Sequence, residues 1–169
     1  MDGLKVETKS GGLEEKVSEI LQEIRVGASD WEIIRLTRDI LTKRIDGFLV
    51  APGDNYAEAK VIFDWVKSNI RFTGDPVNLD LIQNAKATLE LKTGDCVANT
   101  ILLGSMLGSI GIPVAIKLIG RYKPEYDHVY ILAGFPVHAP EDWIPFDVTE
   151  PRPGVQPKSL IEPLTYRVF

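Results

Sequence analysis

The chain has 169 residues, enough for one domain with a sizeable core, and its 44% hydrophobic and 25% charged content is that of an ordinary globular protein. A formal net charge of -5 argues against a general nucleic-acid binder, and no apolar run approaches the roughly 18 residues a membrane span needs. The N-terminus lacks the apolar core of a secretory signal. The single cysteine excludes an intramolecular disulfide framework, so a cytoplasmic setting is expected, with residence in a virion equally compatible.

Residues 1–12 are polar and Gly-bearing and are expected to be a flexible N-terminus. Leu13, Val17, Ile20, Leu21 and Ile24 then recur at helical spacing, which predicts an amphipathic helix ending near Gly27. Ser29 and Asp30 are N-cap candidates for a second helix. On it Trp31, Ile34, Leu41 and Ile45 share an apolar face that Ile33, Leu36 and Ile40 widen. The stretch APGD, 51–54, reads as a turn whose Asp54 caps a third helix, carrying Ala59, Ile62, Phe63, Val66 and Ile70 on one side.

TGDP, 73–76, is a turn. LDLIQNAKATLEL is either a short helix or irregular, and KTGD, 92–95, reads as a loop. From Cys96 to Ile110 the pattern is helical with hardly any polar face, which predicts a buried helix; Gly111 stops it and Pro113 prevents continuation. Gly104, Gly108 and Gly111 suit close packing of that helix. PVAIKLIG (113–120), DHVYILAG (127–134) and WIPFDVT (143–149) are rich in β-branched and aromatic residues between turns and predict strands. Helices first and strands afterwards indicate an α+β fold with an antiparallel sheet. Seven of the eleven prolines lie between Pro136 and Pro163, so the last twenty residues are expected to be an extended arm.

A lone cysteine in an apolar stretch is ordinarily a packing residue. Cys96, however, occupies the first turn of its helix, directly after Gly94-Asp95. There the unpaired N–H groups and the positive dipole end favour a thiolate and can stabilise an oxyanion. Gly94 would let backbone or substrate approach, and Asp95 suits the N-cap. A thiol nucleophile needs a base, and there are two histidines. His138 lies in a Pro-bounded loop, as a solvated surface residue does. His128 opens a strand, where it is either edge decoration or that base. Asp147 sits among apolar residues and needs a partner if buried, or else caps the turn that follows. A zinc site from Cys96, His128, His138 and an acid lacks a short ligand pair, and no phosphate loop is present, so neither metal nor cofactor is expected.

The order G-D-C, apolar helix, G-I-P, strand, H-V-Y, then W-I-P-F-D-V-T resembles the transglutaminase-like superfamily of papain-type cysteine enzymes, in particular its small bacterial and prophage forms. The similarity begins upstream in VIFDWVKSNIRFTGDPV and covers roughly residues 55–155. It implies Cys96 as nucleophile, His128 as general base and acid, and Asp147 as the carboxylate that orients the imidazole. It also implies a papain-like fold, with the nucleophile opening a central helix packed on an antiparallel sheet. Two positions depart from the family's common pattern: Val97-Ala98 replace a pair of acids after the cysteine, and His128-Val129-Tyr130 replace H-A-W or H-S-W. Gln83 or Asn84 is the candidate side-chain oxyanion donor, and Tyr130 and Trp143 are candidates for the cleft wall, with core packing the alternative for both.

The resulting expectation is a single transglutaminase-like domain over 13–169, with its core at 54–150 and a Pro-rich arm at 150–169. It would act on an amide bond of a protein or peptide substrate, by hydrolysis or by transglutaminase-type transfer, without nucleic-acid or membrane partners. The competing expectation is a catalytically silent structural or assembly protein, such as a virion component, that keeps the fold. The helices at 13–45 lie outside the resemblance, and either cover the catalytic domain or dock a partner.

Overall fold

The structure, a computed structural model, describes residues 4–7, 12–42, 53–74, 80–122 and 124–169. Ile45, Ala51-Pro52 and Asp75-Pro76, which figure in the expectations above, lie outside the described residues. Strand β1 (Leu4–Glu7) pairs antiparallel with β3 (Asp80–Gln83), so this part of the N-terminus is held in a ladder rather than being loosely ordered. Helix α1 (Leu13–Ala28) buries Val17, Ile20 and Ile24, whose three- and four-residue spacing puts them on one face.

Helix α2 (Trp31–Thr42) is capped by Asp30, whose Oδ1 accepts the N–H groups of Glu32 and Ile33 at 2.8 and 3.3 Å. Its buried stripe is Ile33, Thr37 and Ile40, while Trp31 is 68% exposed, so the expected Trp31 face is corrected. A polar residue can occupy the core stripe because the Thr37 hydroxyl donates to the Ile33 carbonyl at 2.8 Å. Helix α3 (Asn55–Asn69) begins at Asp54, which accepts the Ala57 N–H at 3.0 Å, and buries Ala59, Ile62, Phe63 and Val66 as predicted.

The ambiguous stretch resolves into β3 followed by α4 (Ala85–Leu91). KTGD is only partly a loop: β4 (Thr93–Gly94) pairs parallel with β2 (Arg71–Phe72), just after the left-handed Lys92 that ends α4. Helix α5 (Cys96–Ser109) is buried continuously from Val97 to Leu107. Its polar members are satisfied: Ser105 donates to the Ile101 carbonyl at 2.7 Å, with the Ile24 carbonyl 3.3 Å away, and Thr100 donates to the Val129 carbonyl at 3.1 Å. Gly111, at φ +82°, then turns the chain out of the helix.

The main sheet comprises β5 (Val114–Ile119), β6 (His128–Phe135), β7 (Asp142–Phe146) and β8 (Leu164–Arg167), in the antiparallel order β7-β6-β5-β8. Alternation divides its faces. Val114 and Ile116 of β5 with Val129, Ile131 and Ala133 of β6 join the main core beside α5, whereas Ala115, Ile119, Tyr130 and Leu132 form a second cluster on the other face with Trp143 against it. The C-terminal arm bends and turns over 151–154 and then supplies β8, an edge strand on β5. Among the described residues no helix is long and apolar enough to cross a membrane.

Candidate active site

Cys96 is the first residue of α5. Asp95 caps the helix, its Oδ1 accepting the Ala98 N–H at 2.8 Å. Buried Asn99, one turn further on, donates its amide hydrogens to the Gly94 and Asp95 carbonyls at 3.0 and 2.8 Å, which fixes the turn that presents the cysteine. Nothing in the sequence pattern singled out Asn99; a polar residue inside an unbroken apolar helix was the available signal. Gly94 is buried, and a Cβ there would come within 2.7 Å of the Ala98 Cβ. Packing of the first helical turn, rather than an open approach to a ligand, accounts for that glycine.

His128 opens β6 and Asp147 follows the last residue of β7. The antiparallel pairing of β6 with β7 brings these strand ends near each other: His128 Nε2 lies 2.6 Å from Asp147 Oδ2, and the residues are 7% and 2% exposed. The other carboxylate oxygen, Oδ1, accepts the Thr149 N–H at 2.9 Å and the Thr149 hydroxyl at 2.8 Å. Burial pushes the Asp147 carboxyl up. The hydrogen bond and charge of His128, with the two Thr149 donors, outweigh it and hold the group below its ordinary value. An ionised carboxylate has no hydrogen to give, so the Nε2 hydrogen belongs to the imidazole and is donated to Asp147. That arrangement leaves Nδ1 as the other ring nitrogen.

The Thr100–Val129 bond joins the first turns of α5 to the start of β6, because Thr100 lies one helical turn from Cys96 and Val129 follows His128. Cys96, His128 and Asp95 accordingly line one cleft of about 790 Å³. Phe72 and Tyr122 stand on its walls, 48% and 79% exposed, and Lys67 and Arg121 supply positive charge.

The remaining sequence candidates are placed differently. Tyr130 is buried, its ring stacked 5.9 Å from that of His128 and its hydroxyl accepting from Gln156 Nε2 at 3.0 Å; it backs the imidazole from within. Burial, with the nearby Asp147 charge, pushes its phenol up to about 12. Gln83 is not placed as an oxyanion donor, since its Nε2 hydrogens go to Thr88 Oγ1 and the Thr93 carbonyl at 3.0 and 2.8 Å. Asn84 caps α4 by accepting the Ala87 N–H. Trp143 is away from the cysteine cleft: it lines a separate hollow of about 380 Å³ with Arg167, whose guanidinium sits 4.9 Å above its ring. His138 is exposed in its loop, outside the residues that line the cleft.

The profile of the transglutaminase-like superfamily matches residues 43–148, well over half of the chain and a span that contains Cys96, His128 and Asp147. The chain belongs to the transglutaminase-like superfamily. Its mixed architecture, with helices and an antiparallel sheet, is the superfamily's papain-like fold. A crystal structure described as a "putative cysteine protease" from Cytophaga hutchinsonii is similar at a TM-score of 0.50 and 17% identity, over 83% of this chain and 44% of that one. Another, a "putative protease" from Parabacteroides distasonis, reaches a TM-score of 0.48 at 13% identity, over 68% of this chain and 24% of that one. The chain thus spans less than half the length of either structure, and at these identities the first likeness shows fold alone. No curated protein gives a significant sequence match.

Proposed function

We infer that this superfamily member is a cysteine-dependent amide hydrolase acting through Cys96, His128 and Asp147. The observation that carries the reading is the buried His128–Asp147 pair opening onto the cleft that holds Cys96, the thiol at the N-terminus of α5. In the proposed cycle the Cys96 proton passes to His128 Nδ1, and the thiolate is favoured by the positive helix end. Sulfur attacks the amide carbonyl carbon of a protein or peptide. The tetrahedral adduct collapses as the C–N bond breaks, and the imidazolium gives its proton to the departing amine. A water molecule, deprotonated by His128, then attacks the thioester; the acid leaves and the thiol is restored. Water is the simpler acceptor of the acyl group, and on that ground hydrolysis is proposed over transfer to an amine.

Iodoacetamide at neutral pH, followed by mass spectrometry, tests the nucleophile. Cys96 of the native protein should alkylate well above the rate of free cysteine, and His128→Ala should remove the excess. A mixture of peptides offered with an excess of a primary amine separates the acceptors: carboxylic acid products support hydrolysis, and amine conjugates would reassign the protein as a transferase. If native Cys96 reacts no faster than free cysteine, the fold serves as a scaffold and the enzymatic reading falls.

A further inference from the structure

Among the described residues, Arg121 is a cation beside the His128–Asp147 pair that neither the motif nor the proposed cycle uses. It lies in the 120–127 connection between β5 and β6. Its backbone N–H donates to Asp127 Oδ1 at 2.7 Å, and the adjacent Tyr122 N–H donates to Asp127 Oδ2 at 3.1 Å, so both carboxylate oxygens of the residue preceding His128 pin this connection. The side chain reaches back across the strand start. Nη1 donates to Thr149 Oγ1 at 2.9 Å and lies 3.5 Å from His128 Nε2, while Nη2 lies 3.7 Å from Glu150. At about one-fifth exposure it is largely covered and already partnered, so it is a poor candidate for gripping substrate.

Hydrogen counting gives these contacts a direction. Guanidinium can only donate, so Thr149 Oγ1 accepts from Arg121 and its single hydroxyl hydrogen is left for Asp147 Oδ1. Asp147 Oδ2 is thereby left to His128 Nε2–H. Because Nε2 carries that hydrogen, the 3.5 Å approach of Nη1 is a charge beside the ring and not a hydrogen bond to it. We propose that Arg121 is a positioning residue: through the Thr149 hydroxyl it fixes the Asp147 carboxylate, and hence the plane and tautomer of the His128 imidazole. A charged donor polarises the hydroxyl that receives it and so strengthens the Thr149–Asp147 bond; Asp147 accepts from both sides, so what reaches His128 is the fixed orientation of the carboxylate. The significance rests on His128–Asp147 being the catalytic pair proposed above, but the geometry is testable without turnover.

The chain has two histidines, and His138 is exposed, so one shielded imidazole N–H signal is expected by proton NMR: that of His128 Nε2 bound to Asp147. In Arg121→Met that proton should exchange with water at least about tenfold faster, the scale of losing a charge-assisted hydrogen bond, with the ring shifts of His138 unchanged. Cys96 alkylation should slow by a similar factor, and Arg121→Lys should recover part of both. Thr149→Val, which removes only the hydroxyl, should reproduce the effect and Thr149→Ser reverse it; this pair decides the matter if Arg121→Met does not fold. Wild-type exchange in folded Arg121→Met or Thr149→Val, or absence of the shielded signal in the wild type, overturns the proposal. Slow alkylation of wild-type Cys96 with an intact signal instead overturns the enzymatic reading and leaves the positioning relay standing.

Discussion

Asp147 shows how one side chain can be both costly and stabilising. Burial opposes its charge, yet His128 and two donors from Thr149 hold its carboxyl below the ordinary 3.8. A depressed folded value means that the ionised group contributes stability that is fully present above 3.8 and is lost as pH falls through the lower folded value. Asp147→Asn cannot ionise, and it should cost about 1.5–3 kcal/mol at neutral pH, the range for a hydrogen bond to a charged group. Urea midpoints of the two proteins from pH 7 down to pH 2 check this. The gap should narrow as pH falls below 3.8 and close through the lower folded value, because the other carboxylates titrate alike in both. A gap that persists unchanged to pH 2 would show that the Asp147 charge contributes nothing. The same residue was legible in the sequence because an acid between Phe146 and Val148 demands a partner. The oxyanion role expected of Gln83 was not, since whether an amide is available depends on Thr88 and the Thr93 carbonyl, neighbours that only the fold supplies.

Elements were legible in proportion to how locally they are determined. Helices α1, α3 and α5 announce themselves by period and caps, and β5 and β6 by dense β-branched runs. The two-residue strands β2 and β4 exist only through each other, and β8 is four residues of a proline-rich arm that gains its identity from β5. Trp143 shares a strand face with position 147, but four residues of extended chain separate them by roughly 13 Å, which is why it misses the cleft. The α1–α5 crossing carries its own prediction. A Cβ at Gly27 would lie 2.1 Å from Ser105 Oγ and 2.7 Å from Ser105 Cβ. Gly→Ala in a helix interior ordinarily gains up to about 1 kcal/mol. Here Gly27→Ala should instead lose about 1–3 kcal/mol through overpacking, read as a lower denaturant midpoint. Adding Ser105→Gly should recover more stability than it gives alone; simple additivity of the two changes would mean that the helices do not meet at this contact.

At the scale of the whole molecule, the candidate site is assembled from parts distant in sequence: α5 delivers Cys96, β6 His128, the chain after β7 Asp147 and Thr149, and the β5–β6 connection Arg121. The order Cys, His, Asp on successive helix and strands made the first three legible. Arg121 was not, because its partner Thr149 is 28 residues away and no periodicity links them. What holds these parts in register is one core, in which Val17, Ile20 and Ile24 of α1 and Ile33 and Ile40 of α2 belong to the same cluster as α5, β5, β6 and Val168. The N-terminal helices are thus packed as part of the body that carries the site. Arg25 adds a tie between the two ends of the chain, its Nε donating to the Val168 carbonyl at 3.1 Å. A shared core predicts shared unfolding. In a Trp31→Phe, Trp65→Phe variant, the remaining Trp143 reports on β7, while far-UV circular dichroism is dominated by the helices. Both signals should follow one denaturant transition with a common midpoint and slope. Separate midpoints would mean that α1 to α3 form a layer that detaches from the sheet, and loss of iodoacetamide reactivity with the first transition would then identify which layer the Cys96 environment depends on.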